Sequence, residues 1–345
     1  MATARKWRVA RFNIIIDPAF DARMRSEPDI ELRLSPVPKS DEEVTRALAG
    51  ADVYHVSSAR NEMAQYAFVT SGLLDRNPHV LAVSTYGAGY DSVDVDACTR
   101  AGVIVVNQAG ANRDSVAEHT IALILSVVHR LVESDRMLRA KRGFSREDLM
   151  GHEVKGMTLG LVGIGHVGRT VAAMARVFGM NVIATDPFVD AAEITRRGAQ
   201  PVGFDELLAT ADIVSLHCPR DASTVNMMGA EQYAKMKRGA WFITTARGGI
   251  HDEMALAAAL RSGHLAGAGL DVWQPEPPPL DHPLLELDNV FATYHTAGVT
   301  FEARRNIATL GSEQIVQLLR GEKPPRLVNP QAWPAFEARF KKRER

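Results

Sequence analysis

The run Gly163-Ile164-Gly165-His166-Val167-Gly168 constrains this chain more than any other feature. It follows a short apolar stretch, residues 158–162, and opens a helical pattern over 167–178. A tight turn at Gly163, a close backbone approach to a ligand at Gly165 and helix-on-strand packing at Gly168 each call for a missing side chain. A helix starting there offers free N–H groups and a partial positive charge, which suits a pyrophosphate. Asp186 ends the next apolar run, 23 residues after Gly163. A carboxylate there takes the ribose hydroxyls and repels a 2′-phosphate, so the motif points to NAD rather than NADP. His166 and Val167 fall inside the same cofactor-binding turn.

Around this motif the chain repeats a rhythm of apolar run, turn and helical pattern. The first set has strands expected at 9–16, 30–34, 53–57, 80–84 and 103–106, with helices at 41–48 and 93–100. The second has strands at 158–162, 181–185, 213–216, 240–244, 266–272 and 289–293, with helices such as 167–178 and 252–262. Such alternation is the signature of α/β units built on parallel sheets. Residues 115–138 are apolar nearly all round, so they are expected as one buried connector helix and a homodimer contact. A last helix at about 300–320 returns most simply to the first domain, leaving a cleft between two domains. The expected division is a discontinuous substrate domain, 1–110 plus 298–330, with an inserted NAD-binding Rossmann domain at 111–297. Residues 331–345 are expected as a C-terminal tail, its basic end a solvated helix terminus.

The 345 residues are long for one core and suit two. A formal net charge of −1 gives no field to draw nucleic acid or an anionic membrane, so neither is an expected partner. No apolar run reaches the length of a membrane span. Cys98 and Cys218 lie far apart without metal-like spacing, so no metal is expected. With no leader-like start, the cytoplasm is the expected location.

From about Val80 to Asn329 the chain resembles the D-isomer-specific 2-hydroxyacid dehydrogenases. The likeness shows in Gly87-Ala-Gly-Tyr-Asp-Ser-Val-Asp, Ser115-Val-Ala-Glu-His, Leu216-His-Cys-Pro, Ala246-Arg-Gly-Gly and Gly269-Leu-Asp-Val-Trp-Gln-Pro-Glu-Pro, and in His295 near Gly298. The resemblance implies a Rossmann NAD domain inserted in a flavodoxin-like substrate domain, a homodimer, and exchange of hydride between NAD(H) and a 2-keto acid/D-2-hydroxy acid pair. The likeness is of the glyoxylate/hydroxypyruvate reductase and phosphoglycerate dehydrogenase kinds. The chain ends at Arg345, so the C-terminal regulatory domain of many phosphoglycerate dehydrogenases is not expected.

Three polar residues fit that chemistry. Arg247 follows a buried-looking strand, where a guanidinium fork can hold a carboxylate and its neighbouring carbonyl; an ion pair with an acid such as Glu253 is the alternative. His295 lies just past a strand, at the carboxyl end where open α/β sheets place ligands, and can deliver a proton near neutral pH. Glu276 would orient it and favour its charged form. These positions match the family's catalytic Arg, Glu and His.

By the same carry-over Asp271 would bind the nicotinamide carboxamide. His217, Pro219, Thr224, Thr245 and Gly298 would line the cofactor, and Val116 would pack near the nicotinamide ring. Gly87, Ala88 and Gly89 would take the substrate carboxylate through backbone amides, with Ser57, Ser58 and Arg60 facing the same cleft. Two departures stand out: Tyr294 where Pro is common before the catalytic His, and Thr244 where Asn is common. Phosphite-type redox chemistry and a non-catalytic NAD-sensing role are the rival readings.

Overall fold

The computed structural model describes residues 6–58 and 62–344. It divides into two compact units, Met1–Asn112 with Thr300–Arg345, and Arg113–Val299.

The first unit runs β1 Trp7–Phe12, α1 Pro18–Ser26, β2 Ile30–Ser35, α2 Asp41–Leu48, β3 Val53–Ser57, α3 Ser71–Arg76, β4 Ala82–Tyr86, α4 Val95–Arg100 and β5 Ile104–Val106. Its strands pair in parallel in the order β2-β1-β3-β4-β5, the flavodoxin-like arrangement. β3 and β4 are buried along their whole length, as inner strands of a parallel sheet covered on both faces are. The strand expected over 9–16 stops at Phe12: the chain leaves the sheet there, and Ile15 is 98% exposed.

The second unit holds α5 Arg113–Val128, α6 Leu131–Ala140, β6 Thr158–Val162, α7 His166–Val177, β7 Asn181–Thr185, α8 Ala191–Arg196, β8 Gln200–Pro201, α9 Phe204–Thr210, β9 Ile213–Leu216, α10 Ala230–Lys235, β10 Ala240–Thr244, α11 Glu253–Arg261, β11 Leu265–Leu270 and β12 Val290–Ala292. These strands form one parallel sheet, β12-β11-β10-β9-β6-β7-β8. The order reverses between β6 and β9, which is where a doubly wound sheet opens a ligand crevice.

Two helices complete the first unit, α12 Phe301–Leu319 and α13 Trp333–Glu344. The segment expected as a tail is therefore a packed helix. Trp333, Phe336 and Phe340 fall on one helical stripe. Phe336 and Phe340 are buried, and Phe340 stacks on Trp7 at 5.1 Å. Each such burial contributes about 2–3 kcal/mol. Arg343 adds a forked pair of bonds to buried Asp52, at 2.6 and 2.9 Å.

The expected single connector helix is also corrected. Arg130 adopts a left-handed backbone, φ 55°, and the two helices on either side meet at 59°. α5 is consumed by its own unit: a Cβ on Gly269 of β11 would lie 2.9 Å from Leu123 of α5. α6, in contrast, buries no residue, because Glu133-Ser-Asp-Arg136 interrupts the apolar pattern. Among the described residues no single helix is long and apolar enough to cross a membrane.

Candidate active site

The glycine turn is built as its spacing requires. Gly163 has φ +92°, and a Cβ there would meet the backbone of Cys218 at 2.9 Å. At Gly168 a Cβ would press on the Gly163 carbonyl at 2.3 Å. Gly165 is different: a Cβ would meet nothing within 4 Å, so the space above it is open. Gly165 caps α7 without a side-chain hydrogen bond, so the first-turn amides are offered to a ligand. An open cradle at a helix N-terminus fits a pyrophosphate, and with it NAD.

Asp186 sits beside this turn, accepting from the Ile164 amide (3.0 Å) and the Phe188 amide (3.0 Å). Arg197 donates to the Ile164 carbonyl at 2.8 Å, so the loop is held from both sides. His166 meets Arg169 at 3.2 Å. His217, just past β9, bonds Ser215 at 2.9 Å, and burial pushes its imidazole down to about 4, so it stays neutral at pH 7. Thr224 closes the following turn, donating to the Pro219 carbonyl at 2.8 Å. Thr245 meets Thr120 of α5 at 3.1 Å, and Thr120 in turn bonds the Val116 carbonyl.

Three neighbouring strands bring the remaining residues to one sheet edge. β10, β11 and β12 are paired in parallel register. Arg247, Asp271 with Glu276, and His295 follow their respective carboxyl ends. His295 Nδ1 lies 2.9 Å from Glu276 Oε2, with side chains 29% and 16% exposed. A carboxylate at Nδ1 fixes the proton there and leaves Nε2 for a reacting oxygen. Glu276 is oriented through its other oxygen, which accepts from the Trp273 amide at 3.2 Å.

His295 carries a left-handed backbone, φ 46°, rare for a residue with a side chain and costing about 1–3 kcal/mol. The surrounding bonds compensate. The His295 amide donates to the Asp271 carbonyl at 2.6 Å, and the amides of Thr296 and Ala297 converge on the Asp271 carboxylate at 2.8 and 3.0 Å. Thr293 Oγ1 donates to the same carboxylate at 2.6 Å. Asp271, completely buried, thus anchors the His295 turn as well as standing where a carboxamide ligand is expected. Ser115 Oγ fastens the turn's far end, donating to the Ala297 carbonyl at 2.6 Å just before Gly298.

His119 is a member of this set that sequence reasoning missed. Its Nε2 lies 3.0 Å from Thr293 Oγ1 and 3.6 Å from Asp271 Oδ1. The signal was present in Ser115-Val-Ala-Glu-His, but without a partner its role was silent.

Arg247 Nη1 donates to the Ala246 carbonyl at 2.8 Å. The next residue, Gly248, lies so close to the Trp273 carbonyl that a Cβ would be 1.9 Å from it, so the Arg247 loop packs directly on the loop carrying Glu276. Glu253, the alternative partner weighed for Arg247, points its carboxylate elsewhere, to the Gln274 amide and His282. In the first unit, the Gly87 amide is taken by Gln108 Oε1 at 2.8 Å. That corrects the three-amide reading and leaves Ala88 and Gly89 as the candidate donors. Ser57 pairs with Glu62 and Ser58 donates to the Tyr86 carbonyl. Arg60 lies outside the described residues.

Residues 121–297 match the family described as D-isomer specific 2-hydroxyacid dehydrogenase, NAD binding domain. The chain is 37% identical over 293 residues to a D-3-phosphoglycerate dehydrogenase of Archaeoglobus fulgidus, covering 85% of this chain and 52% of that protein. It thus spans about half the length of that relative. A glyoxylate reductase of Korarchaeum cryptofilum is 38% identical over 264 residues, 76% of this chain and 80% of the relative. The crystal structure of a glyoxylate reductase from Paecilomyes thermophila superposes with a TM-score of 0.83 at 28% identity, over 94% of this chain and 99% of that one. With the glycine cradle, Asp186 and the three-strand edge in place, the chain belongs to the D-isomer-specific 2-hydroxyacid dehydrogenase family, and its second unit is that family's NAD-binding domain.

Proposed function

We propose that this protein interconverts a 2-keto acid and the matching D-2-hydroxy acid with NAD(H). The Glu276–His295 pair, held on a left-handed turn at the carboxyl edge of the sheet, carries this reading. Bound NADH supplies the hydride. Arg247 holds the substrate carboxylate and carbonyl oxygen. His295 Nε2 gives its proton to the carbonyl oxygen as C2 is reduced, and in the reverse direction removes it. Glu276 stabilises the imidazolium that forms after hydroxy-acid deprotonation. Asp271, whose Oδ2 accepts the Ala297 amide, is the proposed partner of a carboxamide N–H.

The test is NADH oxidation by the purified chain against a panel of 2-keto acids, followed by chiral analysis of the product. Turnover yielding the D isomer is expected. Arg247→Ala should lower kcat/KM by about 10²–10³-fold with NADH affinity unchanged, since it removes a charged contact to substrate. Failure of every keto acid, with NADH still bound, would overturn the assignment in favour of another redox substrate or an NAD-sensing role.

The reading includes a homodimer formed through α6 and the segment after it rather than through α5. Leu131, Leu138 and Met150 are 54%, 59% and 70% exposed there, beside a cavity of about 390 Å³ lined by Val127, Met150, Trp241 and Phe291. Exposed apolar residues on α6 and the segment after it suit a second copy of the chain.

A further inference from the structure

We propose that the buried Glu253–His282 pair is a brace that sets Glu276 against His295, making Glu253 and His282 positioning residues for proton transfer. The inference rests on the reading of His295 as the proton carrier. Glu253 opens α11 and is 7% exposed, and His282 is 5% exposed. One Glu253 oxygen accepts from the Gln274 amide at 2.8 Å, and the other from His282 Nε2 at 3.0 Å. Trp273, the residue before, donates its own amide to Glu276 and its indole N–H to the Thr293 carbonyl at 2.9 Å. The two-residue stretch 273–274 is therefore gripped by Glu253 on one side and grips Glu276 and the His295 turn on the other.

The protonation of the pair follows from its bonds. His282 Nδ1 accepts from the Leu284 amide at 3.3 Å, so the ring presents its N–H at Nε2, where Glu253 accepts it. Glu253 is then a buried carboxylate with two donors, which hold it shorter and more rigidly than neutral bonds would. Burial raises its carboxyl above the usual range, opposed by the Gln274 amide and His282. A buried carboxylate is costly unless its hydrogen bonds are satisfied and geometry depends on it. Here the dependent geometry is the loop that presents Glu276, and the Arg247 loop lies on the same Trp273 carbonyl through Gly248.

Glu253→Gln and His282→Gln separate positioning from bulk stability. A Gln at 282 can place an amide N–H where Nε2–H stands, so that variant should remain close to wild type. A Gln at 253 turns a donor toward the His282 N–H and breaks the brace. Glu253→Gln should lower kcat on the order of 10- to 100-fold, as for a small misplacement of a reacting group, with a smaller change in keto-acid KM and unchanged NADH affinity. The His295 Nδ1–H resonance, identified by its loss in His295→Gln, should persist in the native chain and in His282→Gln and broaden in Glu253→Gln. A folded Glu253→Gln variant with native kcat and a sharp resonance overturns the brace. Should Glu253→Gln fail to fold, His282→Phe removes the donor alone and is read by the same two measurements. If the native chain reduces no keto acid, the functional reading falls while the resonance still decides the brace.

Discussion

The two units use one architecture, a parallel sheet between helices, and each carries a histidine on or beside its sheet. The two histidines have opposite fates. His55 lies within β3, 2% exposed, stacked on Phe20 at 4.2 Å and bonded through Nδ1 to Ser84. Burial and the nearby Arg11 push it down to about 3, so it is a neutral ring in a core. His295 lies three residues past β12, part exposed, on a left-handed backbone and against a carboxylate. The same side chain is core filler inside a strand and, beyond a strand's carboxyl end, the proposed proton carrier. A shared fold therefore settles neither the site nor its chemistry.

The sharpest way to break this contrast is to substitute both rings. His295→Gln should lower turnover by about 10²–10⁴-fold, the usual contribution of a general acid, with NADH binding retained in a fluorescence titration. His55→Phe should leave turnover near the native value, since a phenyl ring can keep the stacking on Phe20. Loss of catalysis in a folded His55→Phe protein, or a mild effect of His295→Gln, would erase the distinction.

A second consequence concerns acid stability. Below the ordinary histidine value of 6.5, the unfolded chain takes up a proton at residue 55 that the folded chain refuses until about pH 3. The folded pKa is depressed, so this stability is fully present above pH 6.5 and drains as pH falls toward 3. At pH 5 the loss is about 2 kcal/mol. His251, also 2% exposed and pushed down to about 4 by burial, adds a similar loss in the second unit. Urea midpoints should fall between pH 7 and pH 5, and the fall should be smaller in His55→Phe. An unchanged pH dependence in that variant would show that His55 does not titrate as a core residue.

The sheet strands of both units were legible in the sequence: in the first, 53–57 coincides with β3, and 30–34 and 103–106 fall on β2 and β5. The expected strands 158–162, 181–185, 213–216 and 240–244 coincide with β6, β7, β9 and β10, because buried parallel strands read as continuous apolar runs bounded by turns. The glycine turn, Asp186, Glu276 and His295 were equally readable, since each depends on residue type at a fixed distance from a strand end. What escaped depends on partners distant in the chain. The break at Arg130 follows from a backbone angle that no periodicity announces. The packing of α13 needed Trp7 and Asp52, some three hundred residues away, to turn a basic tail into a docked helix. Glu253 looked like a partner for Arg247 because both lie on one loop-helix segment; its true partners, Gln274 and His282, belong to the next crossover.

The smallest expected effect separates the two units' glycine loops. Gly165→Ala adds a methyl where the chain has no atom within 4 Å, so its cost to folding should be confined to the backbone strain of φ −70° and ψ −144°. The methyl instead occupies the cradle over the α7 amides, and NADH affinity should fall about 10-fold, or 1.4 kcal/mol. Gly87→Ala is the converse. At φ +137°, with Ser58 Oγ 2.7 Å from the added carbon, it should lower the melting temperature and leave NADH affinity unchanged. Calorimetry for NADH binding and a thermal melt on both variants decide the matter. If Gly165→Ala binds NADH like the native chain, the open space over α7 is not the phosphate cradle, and the second unit's glycine turn is no more specialised than the first unit's.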